Sequence, residues 1–595
     1  MHAYRFPLLI LGLAVCSLQA PFAFAATPLV TIEGDLPPYT RQLVQDVLGT
    51  VDEAPASRAQ ARRRGERARG QTLTVLRSQG YYGATVELVI RQNPSDENHA
   101  ERSALVPVLT VETGPQFQLG DLSVTLLDVS DQNAETLDPP LKLERGQPAI
   151  SADIVSTELE LVRWLKSEGY PDAAALDRKA VVDHADQTLS VVFNLSVGDK
   201  TRFGQIQLAG TAKIDEDWPE LIAPFEYGDL FQEERFNLLP QRVLSTAAFG
   251  GAIARFSDDK TPQPDGSVIR DIILDVEAER QNTISGEIGL STTEGGGVDL
   301  TYERRNVAGK AETLTVSATA KTNQIGLGLD YNIPYFMQWQ RSLALQGEVA
   351  REDTDAFTGE RASAGFIVSQ RLSSNFSVGL GGGLEVSQFD QDGTNTTAYL
   401  FEGLGRATFD SRDDILDARK GVYVEARAIP VFNFGEEEGF FASIETGVSA
   451  YQSLSETLTL ATRIKAGSLF GADQDTVPLN RRFYGGGGGS VRGFGFQSIS
   501  PVNVAGDVIG GRSITEVSTE VRYKGESNFG AALFIDAASV GADDWPGWSD
   551  VRYGAGIGVR YHTPFAPLRA DIAIPLNKRP QDDDFQIYIS IGQAF

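Results

Sequence analysis

Beyond its first 25 residues the chain holds no apolar run approaching the ~18 to 20 residues that a membrane-spanning helix requires. From Gln281 onward, apolar and polar residues instead alternate over short stretches. Leu314/Val316/Ala318, Ile325/Leu327/Leu329, Ala398/Leu400 and Ile587/Ile589/Ile591 each place apolar side chains on one face of a strand. Turns such as Asp392-Gly393 and acidic loops such as Gly435 to Glu438 separate these stretches. A chain of this kind can cross a membrane only as a closed barrel, because every backbone polar group in hydrocarbon must be paired within the protein. Residues 281–595 accommodate roughly 16 strands at about 20 residues per strand and connection, with apolar residues outward and a polar lumen. An all-β array of propeller blades is the rival architecture.

The first residues bear on where the chain is sent. Arg5, the apolar stretch Leu8 to Val15 and Ala23-Phe24-Ala25 describe a secretory signal peptide cleaved after Ala25. Cys16 also stands where a lipoprotein cysteine could, although Val15 is a poor residue immediately before one. Cleavage after Ala25 removes this single cysteine, leaving no disulfide and no thiol chemistry. The formal charge of −28 repels phosphate backbones and argues against nucleic acid as a partner.

Between the leader and the alternating half, one pattern recurs three times: a helical stretch, an aromatic-glycine turn, then two strands. The turns are Gly80-Tyr81-Tyr82-Gly83, Gly169-Tyr170-Pro171 and Phe249-Gly250-Gly251. Thr31 to Gly34, Leu122 to Leu126 and Ile206 to Gly210 open the three units as strands. The expected organisation is a signal peptide at 1–25, α+β units of order β-α-α-β-β at 26–116, 117–200 and 201–280, and the barrel at 281–595. Leu43/Val47 with Val44/Leu48, and Val155, Leu159 and Val162, mark apolar helix faces. Leu189 to Val197 and Val268, Ile272, Leu274 and Val276 alternate as strands. Small sheets leave edge strands able to accept an extended peptide by β-augmentation, which reads backbone and not sequence; the bland alternative is that the units are spacers. The arginine-rich run Arg58 to Arg69 is either a patch for an acidic partner or lipid, or a solvated helix face.

Late in the alternating half, Phe483 to Phe494 read FYGGGGGSVRGF. Five consecutive glycines form neither a helix nor an ordinary strand, so the segment is a permissive loop suited to a tight space, with Arg492 near its tip. A guanidinium in a confined space needs a carboxylate or carbonyl partner, and Asp536 and Glu520 on nearby strand-like segments are candidates. A phosphate-cradling loop lacks the Gly-Lys-Ser/Thr ending it requires, and a flexible linker is the other alternative. Gly488-Gly489-Ser490-Val491-Arg492 lacks the final glycine of a nucleophile elbow. His99, His184 and His562 are too scattered in sequence to suggest a metal site, so no catalytic residue, metal or cofactor is expected.

The whole mature chain resembles the BamA/TamA superfamily of outer-membrane assembly proteins, in which POTRA repeats precede a 16-stranded antiparallel transmembrane β-barrel. Val491-Arg492-Gly493-Phe494 is similar to the family's V-R-G-F/Y motif on a loop that folds back into the lumen. Phe534-Ile535-Asp536 resembles the strand whose carboxylate receives that arginine, and Glu520 a second acidic lumen residue. Asp410-Ser411-Arg412-Asp413 ending at Gly421 resembles a strand-turn motif, and Pro567 to Ala573 the penultimate strand. Phe585, Ile587, Ile589, Ile591 and Phe595 resemble the terminal insertion signal read by the barrel assembly machinery. Asp417-Ala418, Ala538 and Ala566 depart from the family pattern, and Gln593 interrupts the last strand's alternation. The resemblance implies a bacterial outer-membrane location with POTRA units in the periplasm, and non-enzymatic assembly of outer-membrane proteins. Three units without a plug helix resemble the TamA branch, whose members work with TamB, an inner-membrane-anchored partner; a two-partner secretion pore and a general BamA-like insertase are the alternatives. Implied partners are a TamB-like protein, unfolded outer-membrane clients, outer-membrane lipid and the barrel assembly machinery. The closing seam is expected where Ile284 to Leu290 meets Gln586 to Phe595, eased by Gly286, Gly289 and Gly592, since strand glycines weaken packing.

Overall fold

The computed structural model describes residues 27–28, 30–51, 55, 57–92, 105–129, 137–391, 393–471, 473, 476–504, 506–525, 527–563, 567–591 and 593–594. The expected signal peptide with Cys16, and also His99, Asp392, Ala566, Gly592 and Phe595, lie outside the described residues. The chain divides into two compact units: residues 1–202 with 229–233 and 260–269, and the remainder.

The first unit contains a short pairing of Thr27–Pro28 with Thr50–Val51 and two larger sheets. In one, Thr31–Gly34 runs parallel to Leu105–Glu112, which pairs antiparallel with Thr85–Gln92. Helices Pro38–Leu48 and Arg58–Ser78 pack with it around Val44, Ala68, Leu76, Leu109 and Val111. The longer helix starts where the Ser57 hydroxyl accepts a hydrogen bond from the Gln60 N–H at 3.2 Å. Its arginines between 58 and 69 fall between the buried small residues Ala61, Gly65 and Ala68, which let the backbone approach the sheet. On the shorter helix Thr40 and Val44 are buried and Val47 is half exposed, so the inward stripe is narrower than the apolar pattern predicts.

In the other sheet Gln118–Val129 runs parallel to Thr188–Gly198, which also pairs with Ala174–Ala175 and Lys179–Asp183. Leu189, Val191, Phe193, Leu195 and Val197 are all buried against helix Ser151–Ser167, as strict alternation predicts. The helix is rotated from the expected face. Ile154, Thr157, Leu161 and Leu165 point inward, while Val155 and Leu159 are exposed. Only this α-helix belongs to the second sheet among the described residues, where the repeat predicts two.

Thr201–Gly210, Val268–Ala278 and Phe249–Phe256 pair in that order in a further sheet, most of it in the second unit, where Thr261–Pro262 also pairs with Val268–Ala278, and helices Trp218–Ile222 and Glu233–Leu244 accompany it. Phe249-Gly250-Gly251, predicted as a turn, instead opens a strand with a register shift between Phe249 and Gly251. The missing side chains at the two glycines accommodate this bulge.

Sixteen antiparallel strands, from Asn282–Ser291 to Gln586–Ile591, then close into a barrel among the described residues. Ile325, Leu327 and Leu329 are exposed on the outer face, as are Ile587, Ile589 and Ile591, consistent with a lipid-facing girdle. Ala398 and Leu400 correct the sequence reading, being buried inside while Tyr399 and Phe401 face outward. The lumen is apolar there because Phe483 and Val477 fill it and pack with Ala398, Leu400, Val431 and Phe441.

Candidate functional site

The connection between strands Leu458–Phe470 and Ser513–Lys524 enters the barrel among its described residues, where Val491, Arg492 and Phe494 are buried. Strand alternation supplies the charges that meet the loop. Glu520 and Arg522 point inward from Ser513–Lys524, Phe534 and Asp536 from Phe529–Gly541, Arg560 from Arg552–His562, and Asp571 from Pro567–Pro575. Arg492 donates from Nε and Nη2 to the two Asp536 oxygens at 2.7 and 2.9 Å. Its Nη1 donates to Glu520 at 2.5 Å and to Asp571 at 3.3 Å, and its guanidinium stacks 3.4 Å over the Phe534 ring. Arg522 donates to the other Glu520 oxygen at 2.8 Å, and Arg560 donates to Asp571. Four guanidiniums (Arg492, Arg522, Arg560 and, 3.9 Å from Asp571, Arg569) thus meet three buried carboxylates. In a site this dry only a paired network is tolerable, since an unpaired charge costs several kcal/mol or more.

The structure therefore brings Arg492, Asp536 and Glu520 together. It adds Asp571, Arg522 and Arg560, none of which sequence reasoning singled out. Tyr588 was also missed as a loop contact: the Gly493 N–H donates to its hydroxyl at 3.1 Å. The outward faces of Ile587 and Ile589 contained that signal, because period-2 alternation turns Tyr588 inward. Gly493 has φ of +100°, and a Cβ there would lie 2.8 Å from the Ile574 carbonyl carbon. Gly493→Ala should consequently undock the loop tip. Trypsin is expected to cut the folded variant after Arg492 while sparing the parent protein; equal protection would show that the loop absorbs the methyl group.

The same loop also grips strands Phe376–Gln391 and Thr394–Asp410. Arg481 Nη2 donates to Glu385 at 2.7 Å and to Glu402 at 2.8 Å, and Asn480 donates to Glu385 at 2.9 Å. With one ionic anchor on these strands and another on Ser513–Pro575, the connection ties two sectors of the barrel wall together.

At the closing seam, strand Asn282–Ser291 pairs with Gln586–Ile591 through two residue pairs, Leu290 with Ile589 and Ser291 with Tyr588. The Thr292 N–H also donates to the Ile587 carbonyl at 3.0 Å. On its other edge the same strand pairs along all of Asn282–Ser291 with Gly295–Arg305. Residues 282–289, including Gly286 and Gly289, therefore have no strand partner on the seam side among the described residues. Past the last strand Gln593 turns away from this edge: its Nε2 donates to Asp417 at 2.9 Å and its Oε1 accepts from Arg560 Nε at 3.2 Å. The Asp410-Ser411-Arg412-Asp413 turn is held by Asp410 accepting from Arg412 and by Asp413 accepting the N–H groups of Arg419 and Lys420 at 2.9 and 3.0 Å. Burial opposes ionisation of Asp413, but those N–H donors outweigh it and hold the carboxyl below its ordinary range.

A closed sixteen-stranded barrel with an apolar girdle and N-terminal α+β sheets defines a bacterial outer-membrane protein with periplasmic N-terminal domains. More particularly, residues 306–595 match the Omp85 superfamily domain. The chain is 22% identical over 524 residues to the outer membrane protein assembly factor BamA of Nitratidesulfovibrio vulgaris, covering 83% of this chain and 64% of that protein. It is 28% identical over 181 residues to the protein of the same name from Neisseria meningitidis serogroup B, covering 24% of this chain and 22% of that one. The chain thus spans less than two thirds of the length of these relatives. The crystal structure of BamA from Haemophilus ducreyi lacking POTRA domains 1-3 shares the fold, with a TM-score of 0.67 and 18% identity over 80% of this chain and all of that one.

Proposed function

We propose that this protein is a non-enzymatic assembly factor that inserts outer-membrane proteins by lending client strands the edge of its own barrel. The observation that carries the reading is the seam, where two residue pairs close the barrel and residues 282–289 are left as an unpaired edge. A client strand can add to that edge by β-augmentation, exchanging hydrogen bonds without leaving any unmade in the bilayer. Residues 26–116, 117–200 and 201–280 act as POTRA units whose sheet edges, such as Thr85–Gln92, hold extended clients before insertion. Their number favours a TamA-like member that works with a TamB-like inner-membrane-anchored partner on autotransporter clients. Phe585, Ile587, Ile589, Ile591 and Phe595 serve as the signal by which the barrel assembly machinery inserts this chain itself.

The loop that ties two sectors of the wall supports the insertase over an open secretion pore. In proteoliposomes of outer-membrane-like composition, the protein is expected to accelerate folding of an urea-denatured autotransporter barrel over protein-free vesicles. No acceleration, together with steady single-channel conductance, would transfer the role to a two-partner-type pore.

A further inference from the structure

In a chain carrying 80 acidic residues against 52 basic ones, one cavity of about 660 Å³ is lined by three arginines and no carboxylate. Arg242 reaches it from helix Glu233–Leu244, Arg341 from the start of strand Arg341–Asp353, and Arg371 from the end of strand Thr358–Arg371. None of the three forms an ion pair among the described residues. Arg242 lies 3.8 Å over the Trp339 ring, donates from Nη1 to the Ile222 carbonyl at 2.8 Å, and has a buried Nε without a hydrogen-bond partner. Burial pushes its guanidinium below the ordinary value, opposed only by Tyr335 and by no carboxylate. Arg341 Nε donates to Gln370 at 3.1 Å, which leaves its terminal nitrogens available. Tyr335 stacks on Trp339 with ring centroids 4.7 Å apart, and its hydroxyl bonds Ser245 at 2.8 Å.

Three cations lining one cavity with no counter-charge, one of them with a buried Nε that has no hydrogen-bond partner, are an arrangement that an anion would stabilise. The surroundings say which anion. The cavity sits where strand ends meet the last α+β helix, at the rim of the membrane-spanning sheet. Met337, Leu372 and Phe376 beside it are exposed apolar residues, and the Tyr335–Trp339 pair has the amphipathic character of rings at a membrane interface. We propose that this cavity binds the phosphate of an anionic phospholipid headgroup of the periplasmic leaflet, with Arg242, Arg341 and Arg371 as its donors and the adjoining apolar residues against the acyl chains. Such a site anchors the last α+β module to the bilayer surface. It stands whether or not the seam accepts clients.

The test uses full-length protein in neutral detergent, with phosphatidylglycerol, phosphatidylcholine and inorganic phosphate as probes followed by native mass spectrometry. Phosphatidylglycerol is expected to bind about tenfold or more tightly than phosphatidylcholine, and Arg341→Gln/Arg371→Gln to abolish that preference while the barrel keeps its heat-modifiable, folded mobility. Arg371→Gln alone, at an exposed rim position, should weaken binding several-fold and serves if the double variant does not fold. Unchanged phosphatidylglycerol binding in a folded variant overturns the assignment. So does displacement of the lipid by an equal concentration of inorganic phosphate, which would make this a free-anion site.

Discussion

Arg492→Ala is expected to abolish most client insertion and to cost about 3 to 5 kcal/mol of barrel stability, because it takes from the buried Asp536 its guanidinium partner and from Glu520 and Asp571 one of theirs. The side chain makes a two-pronged contact with Asp536, a bond to Glu520 and a stacking contact with Phe534, and alanine removes all of them at once. Arg492→Lys keeps the charge but cannot reproduce the fork on Asp536, so an intermediate loss is expected. Asp536→Asn combined with Arg492→Ala removes a charge of each sign, and it should recover part of the stability lost in the single variant. Heat-modifiability on gels measures the folded barrel and reconstituted client folding measures activity. Activity that falls further than the amount of folded barrel makes the loop anchor functional. Equal losses reduce it to a folding element.

The sequence made some of this site legible and hid the rest for physical reasons. An arginine behind five glycines announces a buried cation, and the carboxylates at Glu520 and Asp536 lie on strands whose alternation points them inward. Asp571 was hidden because it lies on a third strand, and only the barrel's curvature brings it within 3.3 Å of Arg492. Arg481 with Glu385 and Glu402 was hidden for the same reason, the partners being separated by 96 and 79 residues. Ala398 and Leu400 misled because alternation gives two faces without saying which one meets lipid. A loop occupying the lumen made the inner face apolar at that point. Likewise the Val155/Leu159 stripe is real in sequence, but the helix buries Leu161 and Leu165, the positions that reach Phe193 and Leu195 in the sheet. The second α+β unit's single helix escaped the repeat argument, because recurrence of a turn motif fixes the spacing of units and not the content of each.

Joining the seam by a disulfide is expected to stop client insertion and reduction to restore it. Leu290 and Ile589 are the pair to replace with cysteine, since they are direct antiparallel neighbours and both face outward, away from the Tyr588 contact with the loop. With Cys16 the single natural cysteine and within the expected leader, no competing thiol complicates the bond. The two existing residue pairs already hold this end, so the crosslink should barely move the structure. It should act on opening, by holding the paired end at Leu290 and Ser291 shut so that the gap beside the free edge at 282–289 cannot widen to admit a hairpin. A few backbone hydrogen bonds, each contributing about 0.5 to 1.5 kcal/mol, can be broken reversibly on a functional timescale, whereas a covalent bond cannot. Full activity in a completely crosslinked barrel would exclude strand exchange at this seam. The periplasmic sheets would then have to carry assembly by holding clients alone.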